Sequence, residues 1–235
     1  MTAVAAGRVH LHCEVSGRGT PLLLILGLAA DVSEYQAPLI TPLAEHHQVI
    51  AFDNRGAGRS DKPDEPYTIE MMAADAAGIL DVLSVPRASV LGISLGGRIA
   101  MELAFRHPER VDRLLLVSTS PRVQPNWRRR HVYPFLSTRL PLFRSRYPQP
   151  RYAFFRQMAA SNGYDATSRL GQLTMPTVVM HGRRDRGAPL AMAEEMHRAI
   201  AGSQLQIFRG GHLFFVLRDR RRFLAAVDQF LDGPG

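Results

Sequence analysis

The chain has 235 residues, of which 46% are hydrophobic and 21% charged, the composition of a globular protein with one domain and a substantial core. No apolar run reaches the roughly 18 residues that a membrane-spanning helix needs, and the first residues lack the basic start and apolar core of a signal peptide, so we expect no membrane span and a cytoplasmic protein. The single cysteine, Cys13, excludes an internal disulfide bond, and the net charge of +8 comes almost wholly from arginine, because Lys62 is the only lysine.

Short apolar runs alternate along most of the chain with stretches of helical periodicity. The predicted strands are residues 9–15, 22–26, 48–53, 88–93, 111–117, 176–180 and 205–208. The predicted helices are residues 33–46, 68–83, 95–106, 189–200 and 214–231. Strands that alternate with helices in this way predict a mostly parallel sheet with helices on both faces.

Residues 121–165 interrupt this alternation. Repeated prolines and many aromatic side chains fall there, and residues 114–164 contain nine arginines but no Asp or Glu. Because the segment follows a strand end, we predict a small, mostly helical cap over the adjacent edge of the sheet. Its aromatic side chains either line a substrate pocket or form a small core under the cap, and the candidate pocket residues are Trp127, Tyr133, Phe135 and Phe155.

The motif Gly92-x-Ser94-x-Gly96 lies between a predicted buried strand and a predicted helix. A serine at the tip of such a tight turn has a strained backbone, and the residues two before and two after it must be small so that strand and helix can approach each other. The turn holds the hydroxyl at the start of the helix, where free backbone N–H groups favour developing negative charge. Ser94 is therefore predicted to be a nucleophile.

A serine hydroxyl is a poor nucleophile at neutral pH, so it needs a base, and the base needs an orienting acid. Asp185 follows the strand at 176–180, and His212 follows the strand at 205–208. The order Ser, Asp, His at successive strand ends predicts a catalytic triad. In this triad His212 would take the proton from Ser94, and Asp185 would fix the tautomer of the imidazole.

The oxyanion formed by serine attack on a carbonyl group needs two hydrogen-bond donors. One predicted donor is the backbone N–H of Leu95, directly after the nucleophile. The other is the backbone N–H of Leu28, in the loop after the strand at 22–26. Leu213, directly after the predicted base, is a further candidate for the substrate pocket.

Together these motifs resemble the α/β-hydrolase family, in particular its compact esterase, lactonase and thioesterase members. The resemblance leaves out only the cap and is carried by residues 25–28, 52–60, 92–97, 106–111, 181–189 and 210–212. Two features depart from the family pattern. Leu26 stands where many members have a histidine, which changes how the oxyanion loop is braced. The cap is also short, which indicates an open pocket or a homodimer in which the partner subunit completes it.

The resemblance implies one domain with the α/β-hydrolase fold over residues 1–235. It also implies a serine hydrolase that cleaves a carboxylic ester or thioester through an acyl-enzyme, with no metal and no organic cofactor. Carbon–carbon bond hydrolysis, lactone opening and cofactor-free perhydrolysis use the same triad, and a catalytically silent receptor of small ligands can retain it. The basic cap is either a solvated face or a site of attraction for an anionic substrate or an acidic carrier protein. No recognition motif accompanies the arginines, so we expect no nucleic-acid partner.

Overall fold

The computed structural model describes residues 2–6, 8–124 and 146–233. Eight strands in these ranges form one sheet, with the order β1-β2-β4-β3-β5-β6-β7-β8. The strands are β1 (Thr2–Ala6), β2 (Val9–Ser16), β3 (Pro21–Ile25), β4 (Gln48–Phe52), β5 (Ala88–Ile93), β6 (Val111–Val117), β7 (Thr177–Gly182) and β8 (Gln204–Phe208). β2 pairs antiparallel with β1 and β4, and the other neighbouring strands are parallel. The predicted mostly parallel sheet is confirmed.

Helices flank the sheet on both faces, as predicted. They are α1 (Val32–Tyr35), α2 (Thr41–Leu43), α3 (Ile69–Val82), α4 (Leu95–Arg106), α5 (Arg151–Gly163), α6 (Leu190–Ala199) and α7 (Arg220–Asp232). Side chains alternate between two cores along each central strand: Leu23 and Ile25 pack with α3 and α4, whereas Leu22 and Leu24 pack with α7. Because both faces are covered, the central strands are apolar throughout rather than alternating with polar residues.

Three local expectations differ from the structure. The helix predicted at 33–46 is broken into α1, a π-helical turn at Gln36–Ile40 and α2, because Pro38 and Pro42 supply no backbone N–H to a continuous helical ladder. The last helix begins at Arg220 rather than 214, since Phe214 is buried in a turn, where its ring stacks on Phe208. Strand β1 was not predicted.

Residues 125–145 of the predicted cap lie outside the described residues, so its extent stays a prediction. Helix α5 lies between β6 and β7 in the chain and hydrogen-bonds to the body of the protein. In the part of the chain that the structure describes, we find no helix that combines the length and the apolar character needed to cross a membrane.

The carboxyl ends of the parallel strands converge on one edge of the sheet. β5, β6, β7 and β8 are consecutive neighbours there, so the segments that follow them lie side by side. This arrangement brings together residues that are 118 positions apart in the sequence.

Candidate active site

The strained turn predicted at Ser94 is present. Ser94 has φ 55° and ψ −111°, and α4 begins at the next residue. A Cβ on Gly92 would lie 2.7 Å from Cα of Gly97, and one on Gly96 would overlap the carbonyl group of Ile25. Glycine is therefore required at both positions for α4 to pack this closely against the strands.

Ser94, His212 and Asp185 form a continuous chain of hydrogen bonds. Oγ of Ser94 lies 3.0 Å from Nε2 of His212, and Nδ1 of His212 lies 2.8 Å from Oδ2 of Asp185. An ionised carboxylate only accepts hydrogen bonds, so Nδ1 carries the proton and Nε2 is free to accept the proton of the serine hydroxyl. The imidazole is 33% exposed, whereas the side chain of Asp185 is fully buried.

The environment of Asp185 keeps it ionised although it is buried. Burial acts to raise the pKa of this carboxyl group, but the hydrogen bond from His212 and the charge interaction with it outweigh burial, and the pKa is lower than its ordinary value. The backbone N–H groups of Gly187 and Ala188 also donate to Oδ1, at 2.7 and 2.9 Å. The loop after β7 is thus folded around the carboxylate.

A second histidine lies against the same carboxylate. Nε2 of His181 donates to the carbonyl oxygen of Ala188 at 2.7 Å and is 3.5 Å from Oδ2 of Asp185. Burial lowers the pKa of the His181 imidazole, which favours its neutral form. His181 therefore packs the loop and leaves His212 as the histidine in contact with the serine.

The two residues that follow β6, Ser118 and Thr119, hold the site together. The sequence analysis did not identify them. Oγ of Ser118 donates to the carbonyl oxygen of His212 at 2.8 Å, and Oγ1 of Thr119 donates to the carbonyl oxygen of Ser94 at 2.7 Å. Ser118 also has a positive φ of 46°. Since their partners are backbone atoms distant in sequence, no local spacing marks these residues.

The loop predicted to stabilise the oxyanion lies beside the nucleophile. A Cβ built on Gly27 would be 3.5 Å from Cβ of Ser94, so the loop that contains Leu28 approaches the serine. Leu95 is the first residue of α4 and follows Ser94 directly. The donor roles of Leu28 and Leu95 stay predictions, and both backbone positions are compatible with them.

Polar side chains that the sequence analysis did not single out brace this loop from two sides. Nδ2 of Asn54 donates to the carbonyl oxygen of Leu26 at 3.0 Å. On the other side, Oε1 of Gln157, on α5, accepts a hydrogen bond from the backbone N–H of Ala29 at 3.1 Å. The braces therefore come from the segment after β4 and from the predicted cap.

Two of the five predicted substrate-binding residues lie in the part of the chain that the structure describes. Trp127, Tyr133 and Phe135 lie outside the described residues. Phe155 is half-buried on α5, with its ring at the edge of Phe154, and Leu213 is half-buried against the core on the α7 side of the sheet. Their part in substrate binding stays a prediction.

Some of the basic charge predicted for the cap is paired with acidic groups from other parts of the chain. Arg122 contacts Glu195 at 2.6 Å, and Arg156 contacts Asp64 at 3.2 Å. Among the described residues we find no group of three or more His, Cys, Asp or Glu side chains arranged to hold a metal ion.

Comparisons with known proteins show the family to which the chain is related. A family model described as alpha/beta hydrolase fold matches residues 20–153. The poly(3-hydroxyalkanoate) depolymerase of Ectopseudomonas oleovorans is 30% identical over 249 residues, which cover 92% of this chain and 83% of the depolymerase. The 2-hydroxymuconate semialdehyde hydrolase of Pseudomonas sp. (strain CF600) is 31% identical over 268 residues, with coverage of 97% and 92%. The solved structure of the enol-lactonase from Burkholderia xenovorans LB400 is similar with a TM-score of 0.86 at 25% identity, and the match covers 97% of this chain and 99% of the lactonase.

Proposed function

Because the chain belongs to the alpha/beta hydrolase fold family, we propose that it is a serine hydrolase that cleaves a carboxylic ester or thioester through an acyl-enzyme. The observation that carries this proposal is the hydrogen-bonded chain from Ser94 through His212 to the buried Asp185. A buried carboxylate, an imidazole with a free Nε2 and a serine at a strained turn are the parts that nucleophilic acyl transfer needs.

In the first half of the reaction, Ser94 attacks the carbonyl carbon of the substrate. Nε2 of His212 accepts the proton from Oγ as the new carbon–oxygen bond forms, and Asp185 stabilises the resulting imidazolium. The carbonyl oxygen becomes an oxyanion and accepts hydrogen bonds from the N–H groups of Leu28 and Leu95. Collapse of this intermediate breaks the bond to the leaving group, which takes the proton from His212.

In the second half, water releases the acyl group. His212 removes a proton from the water as its oxygen attacks the acyl carbon, and the oxyanion forms again at the same two N–H groups. Collapse releases the carboxylic acid and returns the proton to Oγ of Ser94. The free enzyme is restored, and the net reaction consumes one water.

Opening of a lactone is a second candidate, since a lactone is a cyclic ester and the same steps apply. Similarity to the enol-lactonase over nearly the whole of both chains favours lactone opening as a candidate. Ring opening differs in one respect, because the leaving alcohol remains attached to the acyl group until water releases both together.

Turnover of p-nitrophenyl esters from acetate to decanoate, of an acyl thioester and of an enol-lactone tests the proposal. We expect Ser94→Ala to lower kcat by up to ~10⁶-fold, as in comparable triads. Ser84→Ala is the matched control, because Ser84 also has a positive φ, 54°, but lies between α3 and β5 at the opposite edge of the sheet. Near-normal turnover by Ser94→Ala would overturn the proposal.

Labelling with a fluorophosphonate separates an inactive serine from an unsuitable substrate. Labelling of the wild type but not of Ser94→Ala, together with turnover of the esters, the thioester or the lactone, supports the proposal. Labelling without turnover of any of these substrates contradicts it, and favours a carbon–carbon bond substrate or a ligand receptor instead.

A further inference from the structure

Gln157 joins helix α5 to two loops at the catalytic edge. The side chain is completely buried. Its Oε1 accepts from the N–H of Ala29 at 3.1 Å, and its Nε2 donates to the carbonyl oxygen of Arg55 at 2.7 Å. The reverse orientation of the amide would place donor against donor and acceptor against acceptor, so these two partners determine its orientation.

The partner on the Arg55 side is itself rigidly held. The Arg55 guanidinium makes two hydrogen bonds to the Asp75 carboxylate on α3, at 2.6 and 2.7 Å, and both side chains are buried. A bidentate pair of this kind fixes direction as well as distance. Gln157 therefore connects the loop at Ala29 to a fixed point of the protein body.

The partner on the Ala29 side is strained. Ala29 has a φ of 61°, in the left-handed region that a residue with a Cβ disfavours. Leu26, at the other end of the loop, is buried and apolar and offers no polar side chain as a brace. The hydrogen bond from Ala29 to Gln157 is thus one of the interactions that keep Ala29 in this conformation.

The turn that contains Ala29 orients the peptide group that carries the N–H of Leu28. The carbonyl oxygen of Gly27 accepts from the N–H of Ala30 at 3.3 Å, which orients the peptide group shared by Gly27 and Leu28. In a trans peptide group the N–H points away from the carbonyl oxygen. With Gly27 against Ser94 and the N–H of Ala29 held by Gln157, the N–H of Leu28 points away from the carbonyl oxygen of Gly27, which is compatible with its predicted donor role.

We propose that Gln157 is a positioning residue that holds the loop at 26–29 in the conformation that stabilises the oxyanion, so that the helix of the cap contributes to the rate of catalysis. This inference rests on the serine hydrolase mechanism proposed above. It assigns a contribution to kcat to a buried residue whose hydrogen-bond partners in the described structure are backbone groups of Ala29 and Arg55.

Gln157→Met removes both hydrogen bonds at nearly constant volume. Loss of an oxyanion donor itself lowers kcat by about 10²–10³-fold, so we expect a fall of ~10–100-fold for a residue that acts through the loop. KM should change little, and the inhibition constant of an aryl boronic acid, whose adduct places an oxygen in the oxyanion site, should rise by the same factor. Exchange of the Ala29 amide hydrogen should also accelerate.

Two further variants complete the experiment. Ser161→Ala is the matched control, because Ser161 is also buried on α5 and accepts a hydrogen bond from Arg98 at 2.9 Å, but does not contact the loop; its kcat and Ala29 exchange should match the wild type. Gln157→Glu keeps the shape and the acceptor for Ala29, and at a pH at which its carboxyl group is ionised it loses the donor to Arg55. It provides the test if Gln157→Met does not fold, and we expect a fall in kcat of about 10-fold, the equivalent of one hydrogen bond.

Unchanged kcat and unchanged exchange in the Gln157 variants would overturn the inference, and so would an equal loss of kcat in Ser161→Ala. The proposed function is judged separately by Ser94→Ala. If wild type turns over and Ser94→Ala does not, unaffected Gln157 variants overturn only the positioning role. If wild type turns over no ester, thioester or lactone, the contribution to catalysis is rejected together with the proposed function.

Discussion

The two edges of the sheet differ in the hydrogen bonds made at residues that have a strained backbone. At the carboxyl edge, Ala29, Ser94 and Ser118 all have positive φ, and each is joined to a distant segment by a hydrogen bond that involves a side chain. At the amino edge, Ser84 also has a positive φ, but its N–H bonds only to the backbone of Asp81, within the same turn. An open apolar cleft lies at that edge, lined in part by residues 83–86.

The difference shows that strain alone does not mark a functional site. A strained residue costs roughly 1–3 kcal/mol and persists only where surrounding contacts enforce it. At the carboxyl edge those contacts come from other elements, so the strained conformations depend on how several elements pack together. Substitutions at the two edges should therefore have unequal consequences.

The largest contrast is expected between two aspartates. Asp185→Asn should lower kcat by roughly 10⁴-fold, because the amide would stabilise the wrong tautomer of His212 and no longer its charged form. Asp81→Asn is the control at the amino edge, where Asp81 contacts Arg110 and is 63% exposed. Its kcat should match wild type. Steady-state kinetics on an ester checks both, and a loss below 10-fold in Asp185→Asn would contradict the assignment of the acid.

Two glycines give the next contrast, in the free energy of unfolding. Gly96→Ala places a Cβ against the backbone of Ile25 and Leu26, which cannot move without disturbing β3, and should cost about 3 kcal/mol. Gly202→Ala, before β8 at the amino edge, meets open space and strains only a φ of 69°, which should cost about 1 kcal/mol. Urea unfolding measures both, and equal costs would remove the distinction between the edges.

The smallest contrast concerns the side chain of Glu34, which lies at the carboxyl edge of the sheet. Burial, and then the charge of Asp31, raise the pKa of Glu34 to about 7. Because the pKa is higher in the folded than in the unfolded protein, the favourable contribution of Glu34 is present below its ordinary pKa, near 4.5, and is lost as the pH rises towards 7.

Glu34→Gln should therefore stabilise the protein at pH 8 and leave its stability at pH 4 nearly unchanged. Solvent screening at this partly exposed site limits the gain, and we expect a rise in Tm of about 2–4 °C, the equivalent of about 1 kcal/mol in a domain of this size. Glu45→Gln, at an exposed position, is the control and should show no such dependence on pH. Thermal unfolding at the two pH values measures it, and equal shifts at both would contradict the burial effect.

The sequence predicted those parts of the site whose signal is local. Ser94 follows its strand directly, Asp185 and His212 follow theirs within four residues, and all three lie near glycines. Parallel strands bring such positions to one edge. Gln157 and Ser118 could not be predicted in this way, because each bonds to backbone atoms of a distant segment and resembles any other polar residue of its surroundings. The continuous helix predicted at 33–46 was wrong because Pro38 and Pro42 interrupt the helical ladder within a segment of helical periodicity.

His212 depends on a strand at the margin of the sheet. Within the described ranges β8 pairs with β7 alone, and its residues are more exposed than those of the wholly buried β5 that precedes Ser94. A strand that is paired on only one side opens in local fluctuations that cost less free energy than global unfolding. Such an opening would separate the base from the nucleophile while the central strands stay paired, so catalytic competence is expected to be lost on heating before the cooperative melting of the fold.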